Sequence, residues 1–587
     1  MIGKFIGELK RRNVLRAAVL YIGAVWALAQ GIAQLGPELG APEAATRWFL
    51  IASAIGFPFW LAFSWFFELT SEGLKRESEI TAEAKAGQSH RKVDLAIIGV
   101  LVVAVVLLLT DRLVGEPARP APAITATANS IAVLPFENGS GDKDQQYFSD
   151  GLSEGFIIAL SRIEGLRVIN RKSAFLFRDS REDDAAIAAR LGVANLLEGS
   201  VQRAGDTVRI RASLIRAADG STLWADSFDR PYKDLFALQD QIVGLVAEAL
   251  KARLQPTPAR VRQTDRPPSG SLDAYNAYLQ AHSSTDAEVA LQSYDRAIEL
   301  DPGYGLAYAM KARTLIDVVS GGLSGQQAAA AFKDADAAVQ QAIRLAPGQA
   351  ATHIARGWLL MLRDFDWKNG EAELRKAVEL APEDGDALYQ LGVARASQGD
   401  LPQAVELTRQ ALRLDPLNAN WYRWLVAYLM PQGKLDEARQ AIGKAIELEP
   451  RAIYNHHLLA IIEVLRKDAV AARRAADAEP PGPWQDFAQA LAAQIGPDRA
   501  EADRRLQDCI GQHAEGWVFQ IAQVQALRGD PDAMFQWLDR AWQARDPGMQ
   551  SLLYDALLLR YRADPRYAAL ARQAGLPWPA ATATPVP

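Results

Sequence analysis

Three patterns of apolar and polar positions succeed one another along the chain. In the first, residues 1–114, apolar residues come in long runs at 14–35, 47–67 and 94–113, separated by charged segments. Each run is close to the ~20 residues that a helix needs to cross ~30 Å of hydrocarbon. The third contains AIIGVLVVAVVLLL at 96–109, and the second carries Pro58, a position where a helix kinks. The pattern predicts three transmembrane helices. A Pro- and Ala-rich linker follows at 115–129.

Lysine and arginine near the ends of these runs set the expected orientation. Lys4, Lys10, Arg11 and Arg12 precede the first run, and Lys75, Arg76, Lys85, Arg91 and Lys92 lie between the second and third. The loop between the first two runs offers only Arg47, beside Glu38 and Glu43. The positive-inside tendency then puts the N-terminus and the second loop in the cytoplasm. Three crossings place everything after about residue 114 in the periplasm of a bacterial inner-membrane protein. The long first run, without a small-residue cleavage site, argues against a removed signal peptide.

The second pattern, at 130–254, mixes periods. Residues 130–136 (SIAVLPF) form a short apolar run that predicts a buried strand, and NGSGD at 138–142 is turn chemistry. Phe148, Leu152, Phe156, Ile157, Leu160 and Ile163 recur at helical spacing. Residues 166–169 read as a second strand. Asp183 to Leu191 reads as a helix stopped at Gly192. Alternation over 195–202, 207–215 and 221–228, with turns at 203–206 and at Asp219-Gly220, predicts a three-stranded meander. An amphipathic helix over 235–254 closes a small α/β domain, and a linker spans 255–270.

The third pattern repeats. AIELDP (297–302), AIRLAP (342–347), AVELAP (377–382), ALRLDP (411–416) and AIELEP (445–450) share one design. Pro382, Pro416 and Pro450 are spaced by 34 residues, the tetratricopeptide period. Twelve positions before each proline stands a small residue: Ala290, Ala335, Gly370, Ala404 or Ala438. Eight before stand Tyr294, Val339, Leu374 and Ile442, with Thr408 the exception. Small residues let paired helices approach, bulky ones fill the gap, and proline ends the second helix. Residues 271–576 are therefore expected to form an all-α tetratricopeptide solenoid with a C-terminal cap around 552–566, followed by a disordered tail at 577–587.

Composition removes several functions. A formal net charge of -6 speaks against a general nucleic-acid-binding surface. The single cysteine, Cys509, supports neither a disulfide framework nor a Cys-based metal site. Gly151-Leu152-Ser153-Glu154-Gly155 spells the G-x-S-x-G elbow of serine hydrolases. That elbow needs a strand running straight into a sharp turn, whereas these residues lie inside a helical pattern. None of the six histidines falls between 130 and 254. The two glycines are instead expected to allow close packing against the sheet, with Ser149 or Asp150 as a helix cap. Glu182, Asp183 and Asp184 read as a helix start favoured by the helix dipole. The sequence predicts no catalytic residues, no metal and no cofactor.

The motifs SIAVLPF (130–136), YFSDGL (147–152), LRVI (166–169) with Arg171 and Ser173, LGV (191–193), LEGSV (197–201) and LW (223–224) resemble the TolB-amino-terminal-like domain. ELKRRNV (8–14), GFP (56–58), WFFELT (65–70) and GLKR (73–76) resemble the membrane region of the same bacterial group. Its members join this domain to tetratricopeptide repeats, often with an adenylate or guanylate cyclase domain or a winged-helix domain. The resemblance implies signalling or envelope architecture rather than a defined activity. The expectation is a non-catalytic, membrane-anchored sensor or scaffold that binds a protein or peptide. The alternatives are a regulatory subunit of a nucleotide-cyclase-type enzyme and a cytoplasmic-facing assembly platform. Tyr389, Arg395, Trp421, Trp424 and Tyr428 are the candidate partner-binding groove. A protein or peptide in that groove and the lipid bilayer are the expected partners, homo-oligomerisation is compatible with the chain, and nucleic acid is not expected.

Overall fold

A computed structural model describes residues 127–250 and 265–578, except 143–144, 162, 164, 285 and 321–324. It also describes 67–70, 73–76 and single residues between 21 and 60. The chain divides into two compact units, 1–122 and 123–587.

In the first unit, strands β1 (Phe67–Thr70) and β2 (Gly73–Arg76) pair antiparallel, with Phe67 opposite Arg76 and Thr70 opposite Gly73. The Tyr21 hydroxyl donates to the Ser53 carbonyl at 2.8 Å, and its ring lies 5.5 Å from Phe57. Apart from Tyr21, Val25, Phe49, Ser53, Gly56, Phe57, Trp60 and Phe67, the stretches 14–35, 47–67 and 94–113 lie outside the described residues. Among the described residues, no helix is long and apolar enough to cross a membrane. This corrects the three-helix transmembrane region and the inner-membrane localisation drawn from it. Phe67, the last residue of the second apolar run, belongs to a strand instead. A hydropathy run counts apolar residues and does not say whether they meet lipid or, as Tyr21 and Phe57 do, each other.

In the second unit, β3 (Thr127–Val133), β4 (Glu137–Asn138), β5 (Arg167–Val168), β6 (Val193–Ala204), β7 (Thr207–Arg216) and β8 (Ser221–Pro231) form one sheet of order β5-β3-β6-β7-β8, with β4 on β6. The β3 pairings are parallel, and β6-β7-β8 is an antiparallel meander. Four helices pack on it: α1 (Gln146–Leu160), α2 (Arg171–Phe175), α3 (Asp184–Leu191) and α4 (Leu235–Ala249). One face buries Ile131, Val133, Ile210 and Leu214 with Phe156, Leu160 and Ile242 of α1 and α4. The other buries Ala132, Leu134 and Leu196 with Ile187 and Leu191 of α3. Helix α3 starts where Asp183 accepts the Ala186 amide at 2.8 Å and stops at Gly192, φ 65°.

The remaining helices stack as pairs: α5 (Leu272–Ser283) with α6 (Ala287–Leu300), α7 (Gly305–Ser320) with α8 (Gly325–Leu345), α9 (Ala350–Arg363) with α10 (Trp367–Leu380), α11 (Gly385–Ser397) with α12 (Leu401–Leu414), α13 (Ala419–Leu429) with α14 (Leu435–Leu448), α15 (Asn455–Leu465) with α16 (Ala469–Ala478), α17 (Pro483–Gln494) with α18 (Arg499–His513), and α19 (Val518–Arg528) with α20 (Pro531–Gln543). A last helix, α21 (Pro565–Gln573), follows two 3-10 turns. The small positions Ala290, Ala335, Ala404 and Ala438 are buried, and a Cβ on Gly370 would stand 3.0 Å from the Gly357 carbonyl of the facing helix. Thr408 fits the bulky position because its hydroxyl donates to the Ala404 carbonyl at 2.8 Å, so no buried donor is left over. Asp286, Asp366, Asp384, Asp400, Asn418, Asp468, Asp498 and Asp530 cap helices with side-chain acceptors.

The turns inside the pairs use the left-handed region, with Gly399, Gly433 and Gly529 at φ 71–87°. Phe365 (φ 53°) takes that conformation between α9 and α10 although it carries a Cβ. Its ring stacks on Trp367 at 5.3 Å and on Trp542 at 5.4 Å, with the Arg545 guanidinium 5.0 Å from its centroid. Trp367 Nε1 donates to the Ala574 carbonyl at 2.7 Å. The C-terminal end of the array thus closes back onto the α9–α10 turn.

Candidate functional site

Four of the five candidate groove residues come together. Tyr389 on α11 stacks on Trp421 of α13 at 5.6 Å and lies 6.3 Å from Trp424, which is 6.1 Å from Tyr428. Positions 421, 424 and 428 recur at helical spacing, so one face of α13 presents all three rings. Arg395 stands apart from the ladder. Its guanidinium pairs with Glu371 at 3.0 Å and reaches Asp400 at 3.9 Å.

The ladder is not an open trough. Tyr389, Trp421 and Tyr428 are buried, and Trp424 is half-buried. The cap covers the end of the ladder: Tyr554 meets Tyr428 edge-on at 5.5 Å, and the 3-10 turn Pro547–Ser551 packs on α11. The Asp555 carboxylate holds the cap, accepting the Leu557 and Leu558 amides at 2.9 Å and the Gln523 amide at 2.5 Å. Burial pushes the Asp555 carboxyl above its ordinary range. Sequence reasoning recognised a cap near 552–566 but not that it covers the end of the ladder. Periodicity reports which face is apolar, not which segment covers it.

The α/β domain meets the repeats at two polar seams. In one, Ser173 of α2 donates its amide to Asp415 Oδ1 at 2.9 Å and also its hydroxyl, and that hydroxyl accepts the Leu417 amide at 2.9 Å. Asn418 donates to Asp415 Oδ2 at 2.8 Å, the Asn170 amide to the Leu414 carbonyl at 2.9 Å, and Arg167 to the Arg413 carbonyl at 2.9 Å. Leu417 enters the apolar cluster of the sheet's second face. Burial raises the Asp415 carboxyl, and the hydrogen bonds of Ser173 and Asn418 pull the other way.

In the second seam, Glu154 of α1 meets His282 of α5 at 2.8 Å and Arg171 at 3.5 Å. Burial favours the neutral form of Glu154, but His282 and Arg171 outweigh it and hold the carboxyl below its usual range. The structure also shows why the G-x-S-x-G string is not an elbow. Ser153 is buried within α1, accepts the Phe136 amide at 2.9 Å and donates to the Ser149 carbonyl at 2.9 Å. Gly151 and Gly155 face helices rather than the sheet: a Cβ on Gly151 would stand 2.2 Å from Leu279 of α5, and one on Gly155 would stand 2.7 Å from the Gln239 side-chain amide of α4 and 3.3 Å from the Tyr275 hydroxyl of α5. Neither Ser149 nor Asp150 caps α1, which begins at Gln146; Asp150 pairs with Arg178 at 2.7 Å.

Between the seams, Asp384 caps α11 next to Asp386, which pairs with Arg313 at 2.5 Å. Burial, then the neighbouring Asp386 charge, pushes the Asp384 carboxyl up to about 6. A carboxyl raised in the folded state contributes stability that is present below its unfolded pKa and lost as pH rises through the folded value. Asp384→Asn keeps a capping acceptor without the charge. Its stability relative to the wild type, followed by urea denaturation, is expected to improve between pH 4 and pH 7, and a pH-independent difference would contradict this.

Comparison with known proteins fits this architecture. A family profile described as "HilA/YgeH-like transcriptional regulator, second domain" matches residues 127–245, so the TolB label of the sequence reading gives way to that one. A tetratricopeptide repeat profile matches 362–419 and 389–456. "Putative adenylate cyclase 3" of Rhizobium meliloti is 38% identical over 200 residues, which is 33% of this chain and 33% of that protein. The chain thus matches a third of the length of that curated relative. Among solved structures, YrrB, titled a tetratricopeptide protein with an unusual peptide-binding site, is 19% identical over 37% of this chain and 100% of its own, with a TM-score of 0.25. Yeast Tom70 is 15% identical over 58% and 78% of the two chains, with a TM-score of 0.31. The C-terminal part of the chain is a tetratricopeptide repeat solenoid, and repeats of this kind are protein-interaction elements.

Proposed function

We propose that the chain is a non-catalytic scaffold or sensor in which the repeat array receives a protein or peptide partner and the α/β domain is carried on it. The observation that carries this reading is the aromatic ladder Tyr389, Trp421, Trp424 and Tyr428 on successive first helices of a tetratricopeptide array. The few residues that dominate binding energy at interfaces are enriched in Trp and Tyr set in desolvated pockets. The test places a photo-crosslinking residue at Trp424, and separately at the outward-facing Val470, 71% exposed, in the full chain in living cells. A stoichiometric adduct with one partner protein from position 424 alone is expected. Adducts from 470 alone, or none from either position, would overturn the reading.

A second reading, favoured by the 38% identity to "Putative adenylate cyclase 3", is an accessory subunit of a nucleotide cyclase. Co-expression with a cyclase catalytic domain in cells lacking their own cyclase would then change cyclic AMP levels. Unchanged levels would remove this second reading.

A further inference from the structure

At the outer edge of the sheet, side chains of the edge strand stand where a neighbouring strand would. Strand β8 is 11 residues long, ends the order β5-β3-β6-β7-β8, and pairs only with β7 among the described residues. The repeat array meets the opposite edge, where Arg167 of β5 reaches the Arg413 carbonyl. From Asp226 to Pro231, β8 runs along β7 without a register shift, Asp226 opposite Ala212 and Arg230 opposite Val208. At the end of this ladder the Tyr232 amide donates to the Asp206 carbonyl at 2.6 Å. By the alternation of an antiparallel ladder, the backbone groups of Asp226, Phe228 and Arg230 then face β7, and those of Ala225, Ser227 and Asp229 face outward. Two of these outward groups are met by a neighbouring side chain. Asp226 Oδ1 accepts the Ser227 amide at 2.8 Å, and Arg230 Nη1 donates to the Asp229 carbonyl at 2.9 Å. Asp226, Ser227, Asp229 and Arg230 are all exposed. A free edge is commonly guarded by shortness, bulges, lysine or proline. Here the strand is long, has no lysine, and keeps its bulge and its Pro231 at the two ends.

We propose that β8 is the docking edge for a second copy of this chain, which extends the sheet across a two-fold axis at Phe228. Antiparallel pairing of the two edges with Phe228 opposite the partner's Phe228 puts Ser227 opposite the partner's Asp229. The backbone groups of both face outward, so the Ser227 amide meets the partner's Asp229 carbonyl, and the Asp226 and Arg230 side chains are released. In the same register Asp226 lies opposite the partner's Arg230, and Arg230 opposite the partner's Asp226. These are non-hydrogen-bonded positions, with Cα atoms about 4.5 Å apart, where opposed side chains come closest. Pairing centred on Ser227 or Asp229 instead keeps the backbone match and loses both charge pairs. The edge is thus self-complementary in backbone and in charge, as a two-fold interface requires. The dimer does not rest on the peptide reading of the repeats. It presents two arrays, so a partner carrying two copies of a recognised segment gains avidity.

Sedimentation velocity of the full chain at about 50 µM is expected to show a dimer, since an interface of this modest size associates in the micromolar range. D226R and R230D each set like charges opposite one another, and each alone is expected to sediment as a monomer. Mixed in equal amounts, the two variants are expected to return as a heterodimer, because opposite charges then face each other at both positions. A monomeric wild type overturns the proposal. So does a single variant that dimerises like the wild type, or a mixture that stays monomeric while both chains keep the wild-type circular dichroism. Hydrogen exchange on the unaltered chain decides independently of any variant. The Ser227 and Asp229 amides are expected to exchange at least ~10-fold more slowly at about 50 µM than at about 0.5 µM. Equal rates at the two concentrations overturn the edge-to-edge dimer.

Discussion

Asp415→Ala is expected to cost about 2–4 kcal/mol, because it strands several donors at once in a buried seam. The Ser173 amide and hydroxyl and the Asn418 side-chain amide all end on this carboxylate. Asp415 is 1% exposed and Ser173 0%, so water does not readily replace the lost acceptor. Asp415→Asn keeps one carbonyl oxygen and should recover part of the loss. Ser173→Ala alone should cost less, and the two changes together should be sub-additive, since they remove one network. Urea denaturation of the four proteins measures this cycle. Additive losses would show that the two residues do not act together.

The second large effect is Gly199→Val in the centre of β6. A Cβ at this position would lie 2.1 Å from the Arg211 carbonyl of β7 and 2.6 Å from the Phe136 ring. Backbone on a paired strand cannot yield to a side chain by changing rotamer, so the β6·β7 ladder has to shift. The expected loss exceeds about 4 kcal/mol, enough to unfold the α/β domain selectively. Repeats draw stability mainly from their neighbours, so most helical circular dichroism should persist while residues 127–249 become sensitive to protease. A folded, protease-resistant α/β domain in G199V would contradict this packing.

Legibility in the sequence followed the range of the interactions. The meander and helix α3 were readable because alternation, paired turns and the Asp183–Gly192 start and stop act within a few residues. The repeats were readable because the 34-residue period restates one packing rule, and Thr408 broke it only in the letter, since its hydroxyl is satisfied within its own helix. Tyr389, Trp421, Trp424 and Tyr428 were legible as a set, but Arg395 joined them on paper only, its charge being spent on Glu371 and Asp400. Contacts between distant segments were not readable. Ser173 and Asp415 are 242 residues apart, and no periodicity couples them. The packing of Gly151 on α5, and of Gly155 on α4 and α5, was misassigned to the sheet for the same reason. The three apolar runs near the N-terminus show the limit most plainly, since apolar content alone did not establish a membrane span.

The α/β domain and the repeat array hold together as one compact unit, joined through the Ser173–Asp415 seam. Native-state hydrogen exchange of the full chain, resolved at the Ser173 and Leu417 amides, tests it most directly. Both amides are expected in the slow class, exchanging at the same rate as each other and as the amides of β6, and both released together by Asp415→Ala. Fast exchange at either amide while β6 and α12 stay protected would mean that the seam opens freely, and the α/β domain would then be a separate module beside the repeats.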